Sequence, residues 1–187
     1  MRVRLRDMPD AAELARIYAT PHDHTKWIDH QVRVDVTAAL AAYGVKPGGV
    51  VADLSCGDGE IAKRLVQHRG ATEILGDYAP GYDLCGPIEE TIEQIPHVDL
   101  FICSETVEHL DDPDKVLGRI REKTDALILS TPDGETDGAR NREHVWGWDA
   151  EAVEQMLRDA GFEPKTKVLL DLRYAGFEYC FQIWLAT

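Results

Sequence analysis

The feature that most constrains the fold is a regular alternation of strand-like and helix-like segments from residue 31 onward. Short apolar runs, such as residues 50–54 (VVADL) and 99–103 (DLFIC), have the length of buried strands. Each of these runs is followed by a segment whose apolar residues recur at helical spacing. Such βαβ units build a parallel sheet with helices on both faces. We therefore predict an α/β fold of the Rossmann-like, doubly wound kind.

Local signals mark where the predicted elements begin and end. Val32, Val36 and Leu40 recur at helical spacing before Gly44, and residues 112–113 (DP) and Asp149 are typical helix starts. A short strand is predicted at residues 74–76, followed by a turn across residues 77–86. Residues 167–172 and 179–185 flank a turn and predict a closing antiparallel hairpin at the C-terminal end of the sheet.

Length and apolar patterning limit the organisation of the chain. Its 187 residues suffice for one sizeable core. We expect a single domain over residues 1–187, with a lid segment at 1–30 and the Rossmann-like core at 31–187. No apolar run approaches the roughly 20 residues of a membrane span, and the first ten residues lack the apolar stretch of a secretory signal. We therefore expect a cytoplasmic protein with no membrane partner.

The charge of the chain bears on its partners. Acidic residues outnumber lysine and arginine by 34 to 20, and the formal net charge is −14. Residues 1–35 are balanced, so the excess falls on residues 36–187. A surface of this sign repels a phosphate backbone. We expect a small-molecule partner and no binding to duplex DNA.

A glycine-rich loop, residues 53–59 (DLSCGDG), joins the first predicted strand to a helix. Glycines at this point allow close approach to a ligand, but the G-x-G-x-x-G spacing of dinucleotide-binding proteins is absent. A ligand with adenosine and an amino acid but no phosphate suits the loop better. Asp53 can face an ammonium or sulfonium group, and Asp77, at the tip of the next strand, can accept hydrogen bonds from ribose hydroxyls.

At this point the sequence resembles the class I S-adenosylmethionine-dependent methyltransferases. The loop DLSCGDG is similar to their first motif, LGDYAP to the acidic second motif, VDLFICSETVEHLDDPDKVL to the fourth and LILSTP to the fifth strand. The resemblance covers roughly residues 30–187. It implies S-adenosylmethionine as cofactor and methyl transfer to an oxygen or nitrogen of a small molecule.

The resemblance also implies a set of cofactor-binding residues. Ser55 replaces the first glycine of the first motif, which requires a negative φ there. Residues 86–88 (GPI) stand where relatives often carry an acidic residue, so the Ile88 N–H would meet the adenine. Arg33 stands where relatives place an arginine on the cofactor carboxylate, although a solvated side chain is an alternative. The predicted cofactor-binding residues are Arg33, Asp53, Ser55, Cys56, Gly57, Gly59, Asp77, Tyr78, Gly86, Pro87, Ile88 and Ser104.

A second group of candidate residues follows the next strands. Glu105, Glu108 and His109 have the spacing of one face of a helical turn, and His144 lies on the loop after the neighbouring strand. This set suits a divalent cation such as Mg²⁺, Mn²⁺, Fe²⁺ or Zn²⁺. It is similar to the metal-assisted O-methyltransferases that act on ubiquinone precursors and on the 3′-terminal ribose of small RNAs.

The chemistry of this second group remains open at the level of sequence. Without a metal, Glu105, His109 and His144 are the catalytic candidates, and His144 or His109 is the best general base. RNA ribose methylation and a non-catalytic S-adenosylmethionine-binding module are the rival functions. Residues 21–30 are expected to cover the site as a lid, with Trp27 directed inward.

Overall fold

The computed structural model describes residues 1–137 and 141–187. Residues 138–140 lie outside the described residues, and they belong to the segment that we predicted as the loop carrying His144. The strands are β1 Arg2–Arg4, β2 Val50–Asp53, β3 Thr72–Asp77, β4 Leu84–Cys85, β5 Leu100–Ser104, β6 Leu127–Pro132, β7 Trp146–Trp148, β8 Pro164–Asp171 and β9 Cys180–Ala186. The helices are α1 Ala11–Ile17, α2 Ile28–Gly44, α3 Glu60–Arg69, α4 Ile88–Thr91, α5 Pro113–Lys123 and α6 Ala150–Asp159, with short 3₁₀ turns at His24–Lys26, Ile92–Gln94, Val107–His109 and Arg173–Ala175.

Within the described ranges, seven strands form one sheet in the order β4-β3-β2-β5-β6-β9-β8. The strands from β4 to β6 run parallel, whereas β9 is antiparallel to both β6 and β8. This confirms the doubly wound, mostly parallel sheet and its C-terminal hairpin. The remaining two strands, β1 and β7, pair antiparallel in a small separate sheet.

Helices cover both faces of the large sheet, as the alternation along its strands requires. In β5, Leu100 and Ile102 pack toward α2 and α3, whereas Phe101 and Cys103 pack toward α5 and α6. Both faces are therefore apolar, which is typical of a parallel sheet buried between helix layers. No helix within the described ranges is long and apolar enough to span a membrane.

Several local predictions hold, and some differ in detail. Asp112 and Asp149 cap α5 and α6 through their side chains, as predicted. The strand predicted at residues 74–76 is longer, Thr72–Asp77, because it pairs with β2 along its whole length. Part of the predicted turn at 77–86 forms the edge strand β4. Helix α2 begins at Ile28, three residues before the start of the predicted Rossmann-like core at residue 31. Its buried face is formed by Val34 and Ala38, so Tyr43 on another face of the helix is 86% exposed.

Candidate active site

A cavity of about 900 Å³ opens at the carboxyl ends of the parallel strands. Its floor comes from the segments that follow β2, β3, β5 and β6, and its roof from residues 8–30 of the N-terminal segment. Parallel strands end at the same edge of a sheet, which is where α/β proteins bind their ligands. The volume lies near the upper end of the range for small-molecule sites, and it holds room for more than one ligand.

The glycine loop is tied to Asp77 across the β2–β3 edge. The Gly57 N–H donates to Asp77 Oδ2 at 2.7 Å, and the Ala79 N–H donates to Oδ1 at 2.8 Å. Each carboxylate oxygen has a second lone pair, so Asp77 retains capacity for two hydroxyl donors. Gly57 has φ +56°, and a Cβ there would lie 2.9 Å from the His22 carbonyl oxygen. Only glycine fits between the loop and the roof at this position.

Asp53 lies behind the cavity rather than on its wall. Its side chain is 3% exposed, and Leu54 and Ser55 line the cavity in front of it. Burial raises the pKa of Asp53 to about 8, against an opposing hydrogen bond from the Ser55 N–H. Asp53 therefore does not make the predicted direct contact with a ligand, because β2 ends at Asp53 and the chain reaches the cavity wall only at Leu54. A bound cation would favour the charged form of Asp53 through space.

Arg33 is a buried cation that lines the cavity. The side chain is completely buried, and its Nη1 donates to Ser104 Oγ at 2.5 Å. Among the described residues, its Nε and Nη2 have no hydrogen-bond partner. These two atoms form one edge of the planar guanidinium, the edge that binds a carboxylate through two parallel hydrogen bonds. Arg33 therefore fits the carboxylate of an amino-acid moiety, and it is not a solvated side chain.

The remaining predicted cofactor residues fall into two groups. Ser55, Tyr78, Ser104 and residues 86–88 line the cavity, together with Arg33, Gly57 and Asp77. Ile88 is the first residue of α4, and N–H groups of a first helical turn have no partner within their helix. Cys56 and Gly59 do not line the cavity. They shape the loop instead, since the Gly59 N–H donates to the Cys56 carbonyl at 2.8 Å.

The roof is anchored to the glycine loop by two hydrogen bonds between His24 and Asp58. His24 Nδ1 lies 2.7 Å from Asp58 Oδ1, and the His24 backbone N–H donates to Asp58 Oδ2 at 2.9 Å. Trp27 is 46% exposed and stacks on the ring of His22, so its predicted inward orientation is only partly met. It is Asp29 and His30, at the start of α2, that turn inward because this face of the helix packs on the sheet.

The acidic segment after β5 does not form the predicted helical turn. A 3₁₀ turn spans Val107–His109, and Glu105 precedes it with φ +52°. The Glu105 carboxylate accepts a hydrogen bond from Ser130 Oγ at 2.9 Å. Glu105 lines the same cavity but lies apart from the other predicted metal ligands, because its left-handed backbone and its Ser130 contact point it toward β6.

Glu108, His109 and His144 do come together, and one ligand atom of each lies within 4.8 Å of the others. In each residue the second polar atom is already held. Glu108 Oε2 accepts from Thr131 Oγ1 at 3.0 Å, and His109 Nδ1 lies 3.2 Å from the Glu143 carbonyl oxygen. The third residue, His144, uses Nδ1 to contact a carboxylate at 2.5 Å. Glu108 Oε1 is buried and has no hydrogen-bond partner in the part of the chain that the structure describes.

Burial shapes the electrostatics of this cluster. Burial raises the pKa of Glu108 to about 8, and the neighbouring Glu105 adds to the effect. Burial lowers the pKa of His109 to about 3, with a further contribution from His144. Burial also pushes the pKa of His144 down, but its hydrogen-bonded carboxylate partner and the nearby glutamates outweigh it, so this pKa lies above its usual value. The cluster can therefore exchange protons or hold a cation.

Several residues of the site carry no signal in the sequence. The partners of the cluster, Thr131 and Glu135, and the roof anchor, Asp58, are polar residues in or beside loops. Ser130 stands opposite Ser104 only because β5 and β6 pair in that register. Residue types and their spacing along the chain do not show the role of these residues, because each role depends on a hydrogen bond to another segment of the chain.

Comparison with known proteins supports these observations. The profile of a family described as a methyltransferase domain matches residues 25–167, which is 143 of the 187 residues. No curated protein matches the chain. Among solved structures, the fold is similar to that of the Burkholderia thailandensis 1,6-didemethyltoxoflavin-N1-methyltransferase, solved with 1,6-didemethyltoxoflavin and S-adenosylhomocysteine bound, at 17% identity and TM-score 0.66 over 100% of this chain and 95% of that one.

Two further structures are similar in fold. A SAM-dependent methyltransferase from Aquifex aeolicus has 18% identity and TM-score 0.56, over 95% of this chain and 98% of that one. The cyclase SpnF has 14% identity and TM-score 0.67, over 93% of this chain and 89% of that one. The family profile covers more than half of the sequence, and the fold agrees with that of the solved methyltransferases. The chain therefore belongs to the methyltransferase-domain family and is a class I S-adenosylmethionine-dependent methyltransferase.

Proposed function

We propose that this enzyme methylates an oxygen or nitrogen atom of a small molecule, with His144 as the proton acceptor. The observation that carries the proposal is one cavity that contains both the glycine-loop residues and the Glu-His cluster. When bound, S-adenosylmethionine supplies an electrophilic methyl group to a nucleophile placed in line with it. Arg33, Asp77 and Ser55 would hold the cofactor, and the volume of about 900 Å³ leaves space for an acceptor beside it.

The protein residues then have two tasks. The N-terminal roof excludes water from the cavity and positions the acceptor, which is the main contribution that an enzyme makes to such a transfer. His144 is 5% exposed and lines the cavity, where it can take the proton that the acceptor loses. His109 is the weaker base of the pair, because its pKa of about 3 leaves it little affinity for a proton.

The charge of the cavity favours a small acceptor over RNA. Among the described residues that line it are eight acidic side chains and a single arginine. A phosphodiester backbone would meet this surface with like charge, and the net charge of −14 adds to the repulsion. An uncharged or cationic acceptor with an aromatic or heterocyclic ring suits the walls better, since Tyr18, Trp27 and Tyr179 also line the cavity.

A methyl-transfer assay tests the proposal. The enzyme is incubated with labelled S-adenosylmethionine and a panel of phenols, catechols, amines and nitrogen heterocycles, and both S-adenosylhomocysteine and labelled acceptor are measured. We expect turnover of at least one class and a loss of 10² to 10⁴ in the H144Q variant, the usual contribution of a general base. H97Q is the matched control, because His97 is 58% exposed and remote from the cavity. Cofactor binding without transfer to any class would favour a non-catalytic binding module.

A second candidate, metal-assisted O-methylation, is favoured by a separate observation. Glu108, His109 and His144 offer one carboxylate oxygen and two imidazole nitrogens within 4.8 Å, and no described residue donates a hydrogen bond to the buried Glu108 Oε1. The other polar atom of each residue is held by a hydrogen bond, as is usual for residues that ligate a metal. This donor set suits Zn²⁺, Mn²⁺ or Fe²⁺, and a divalent cation there would lower the pKa of an acceptor hydroxyl.

Metal binding separates the two candidates. Calorimetric titration with Zn²⁺ and with Mn²⁺ should show one site per chain that is lost in E108Q and kept in E122Q, a matched change at a residue that is 66% exposed. Chelation would then abolish transfer to hydroxyl acceptors and leave S-adenosylhomocysteine affinity unchanged. If no site is found and a chelator has no effect on turnover, the metal-free mechanism with His144 as base is the correct one.

A further inference from the structure

The second ring nitrogen of His144 contacts an acidic residue that sequence patterns do not indicate. Glu135 follows β6, and its side chain is 2% exposed. His144 Nδ1 lies 2.5 Å from Glu135 Oε2. A carboxylate buried this deeply is stable only when its hydrogen-bonding capacity is used, and the imidazole N–H is a partner within direct reach.

The backbone holds Glu135 in a fixed place. The Gly134 N–H donates to the Trp148 carbonyl at 3.0 Å, which ties the segment to β7. A Cβ at Gly147 would lie only 2.0 Å from the Glu135 carbonyl oxygen, so the two backbones pack in direct contact. The loop therefore cannot shift toward β7, and the Glu135 carboxylate presents one constant acceptor to the histidine.

We propose that Glu135 is a positioning residue that fixes the tautomer and the orientation of His144. By accepting the Nδ1–H, Glu135 leaves Nε2 as the unprotonated ring nitrogen for the cluster with Glu108 and His109. This inference rests on the proposed function for its purpose, because a base or a metal ligand needs a free nitrogen at a defined position. It names a residue that acts through His144 and does not touch the acceptor.

The geometry gives the carboxylate two effects. It selects the tautomer, since only the ring with a proton on Nδ1 can donate to Glu135. It also compensates the positive charge that the ring gains when Nε2 takes a proton, as a buried carboxylate does in histidine-carboxylate pairs of hydrolases. Both effects require a hydrogen-bond acceptor at this place, and only the second requires a negative charge. Substitutions can therefore separate them.

Nitrogen NMR of the histidine rings tests the inference without an acceptor. Protein labelled with ¹⁵N-histidine is measured in the presence of a chelator, with and without S-adenosylhomocysteine, and the H144Q variant identifies the signals of His144. The variants are E135Q, which keeps an acceptor oxygen, and E135M, which keeps the side-chain length but removes the acceptor. E122Q is the matched control, because Glu122 is 66% exposed and is not among the residues that line the cavity.

At a pH above the pKa of His144, where the ring is neutral, we expect the wild-type ring to carry its proton on Nδ1, and we expect E135Q and E122Q to retain this tautomer. In E135M the ring should shift to a mixture with the Nε2–H tautomer, while S-adenosylhomocysteine binds within about twofold of wild type. A wild-type ring with its proton on Nε2 overturns the inference, and so does an unchanged tautomer in E135M. The wild-type measurement decides the question even if E135M does not fold.

The failure of this inference and the failure of the proposed function are distinguishable. If no acceptor is methylated but the tautomer depends on Glu135, the positioning role stands and the proposed reaction fails. If methyl transfer depends on His144 but its tautomer does not depend on Glu135, the reaction stands and the positioning role fails.

Discussion

Replacement of Arg33 by methionine should weaken cofactor binding far more than it changes the stability of the protein without cofactor. The guanidinium is completely buried and its Nη1 donates to Ser104, whereas Nε and Nη2 have no hydrogen-bond partner within residues 1–137 and 141–187. If this free edge binds the cofactor carboxylate, R33M removes two charge-assisted hydrogen bonds. Hydrogen bonds to charged groups contribute about 1.5–3 kcal/mol each, and a conservative total of about 3 kcal/mol corresponds to roughly a 100-fold loss of affinity.

Stability of the unliganded protein should respond differently. R33M removes a buried charge that lacks a full set of partners, but it also removes the positive charge that opposes the effect of burial on the pKa of Glu105. Because these two effects on stability oppose each other, we expect the melting temperature of unliganded R33M to stay close to that of the wild type. In the presence of S-adenosylhomocysteine the wild type should melt at a clearly higher temperature, because only the wild type gains substantial binding free energy.

Titration calorimetry with S-adenosylhomocysteine and thermal unfolding with and without it measure both quantities. R33K retains the charge but lacks the planar fork, so it should also bind weakly. R119M is the matched control, since Arg119 lies on α5 and is 46% exposed. A dissociation constant for R33M within threefold of the wild-type value would show that Arg33 does not hold the cofactor carboxylate.

Three further predictions follow from single residues. D77A should cost about 2–3 kcal/mol of S-adenosylhomocysteine affinity by calorimetry, because a charged acceptor for ribose hydroxyls is lost; an unchanged affinity would exclude that role. The raised pKa of Asp53, about 8, means that the folded state holds a proton that the unfolded state releases above pH 4, so stability falls as pH rises toward 8. D53N should remove up to about 1.4 kcal/mol per pH unit of this slope in urea unfolding, and an unaltered slope would contradict it. The pKa of His30 is lowered to about 3, so between about pH 6.5 and 3 the unfolded state binds a proton that the folded state does not. Stability is therefore lost as pH falls below about 6.5, and H30Q should lessen that loss; equal acid sensitivity would refute this.

Periodicity along the chain was sufficient to predict the central strands β2, β3, β5 and β6, the closing hairpin and the long helices, but not the edge strand β4, helices α1 and α4 or the small β1–β7 sheet. The alternation of apolar runs depends on local spacing, and the parallel strands and the closing hairpin follow from it. The position of Asp77 at a strand tip was predictable for the same reason, since β3 ends there. The buried face of α2 was not, because Val34 and Ala38 are selected by packing on the sheet and not by helical spacing alone.

The interior of the site depends on backbone details that spacing does not contain. Glu105 was predicted on a helical face with Glu108, but its φ of +52° directs it to Ser130 instead. Asp53 was predicted to face the ligand, yet it lies behind Leu54 and Ser55. In both cases the backbone conformation at the end of a strand sets the direction of the side chain. Contacts with the neighbouring strands determine that conformation, and they are not visible in the spacing of residues along the chain.

The distribution of unpaired polar atoms explains why these residues are gathered in one place. Folded proteins pair nearly all buried donors and acceptors, because an unpaired one costs free energy. Within the described part of the chain, seven buried side-chain atoms have no hydrogen-bond partner, and four belong to Arg33, His30 and Glu108, all of which line the cavity. Their cost reduces the stability of the unliganded protein and is recovered when a ligand supplies the missing partners. The cavity therefore presents buried polar atoms whose hydrogen-bond partners a bound ligand can supply.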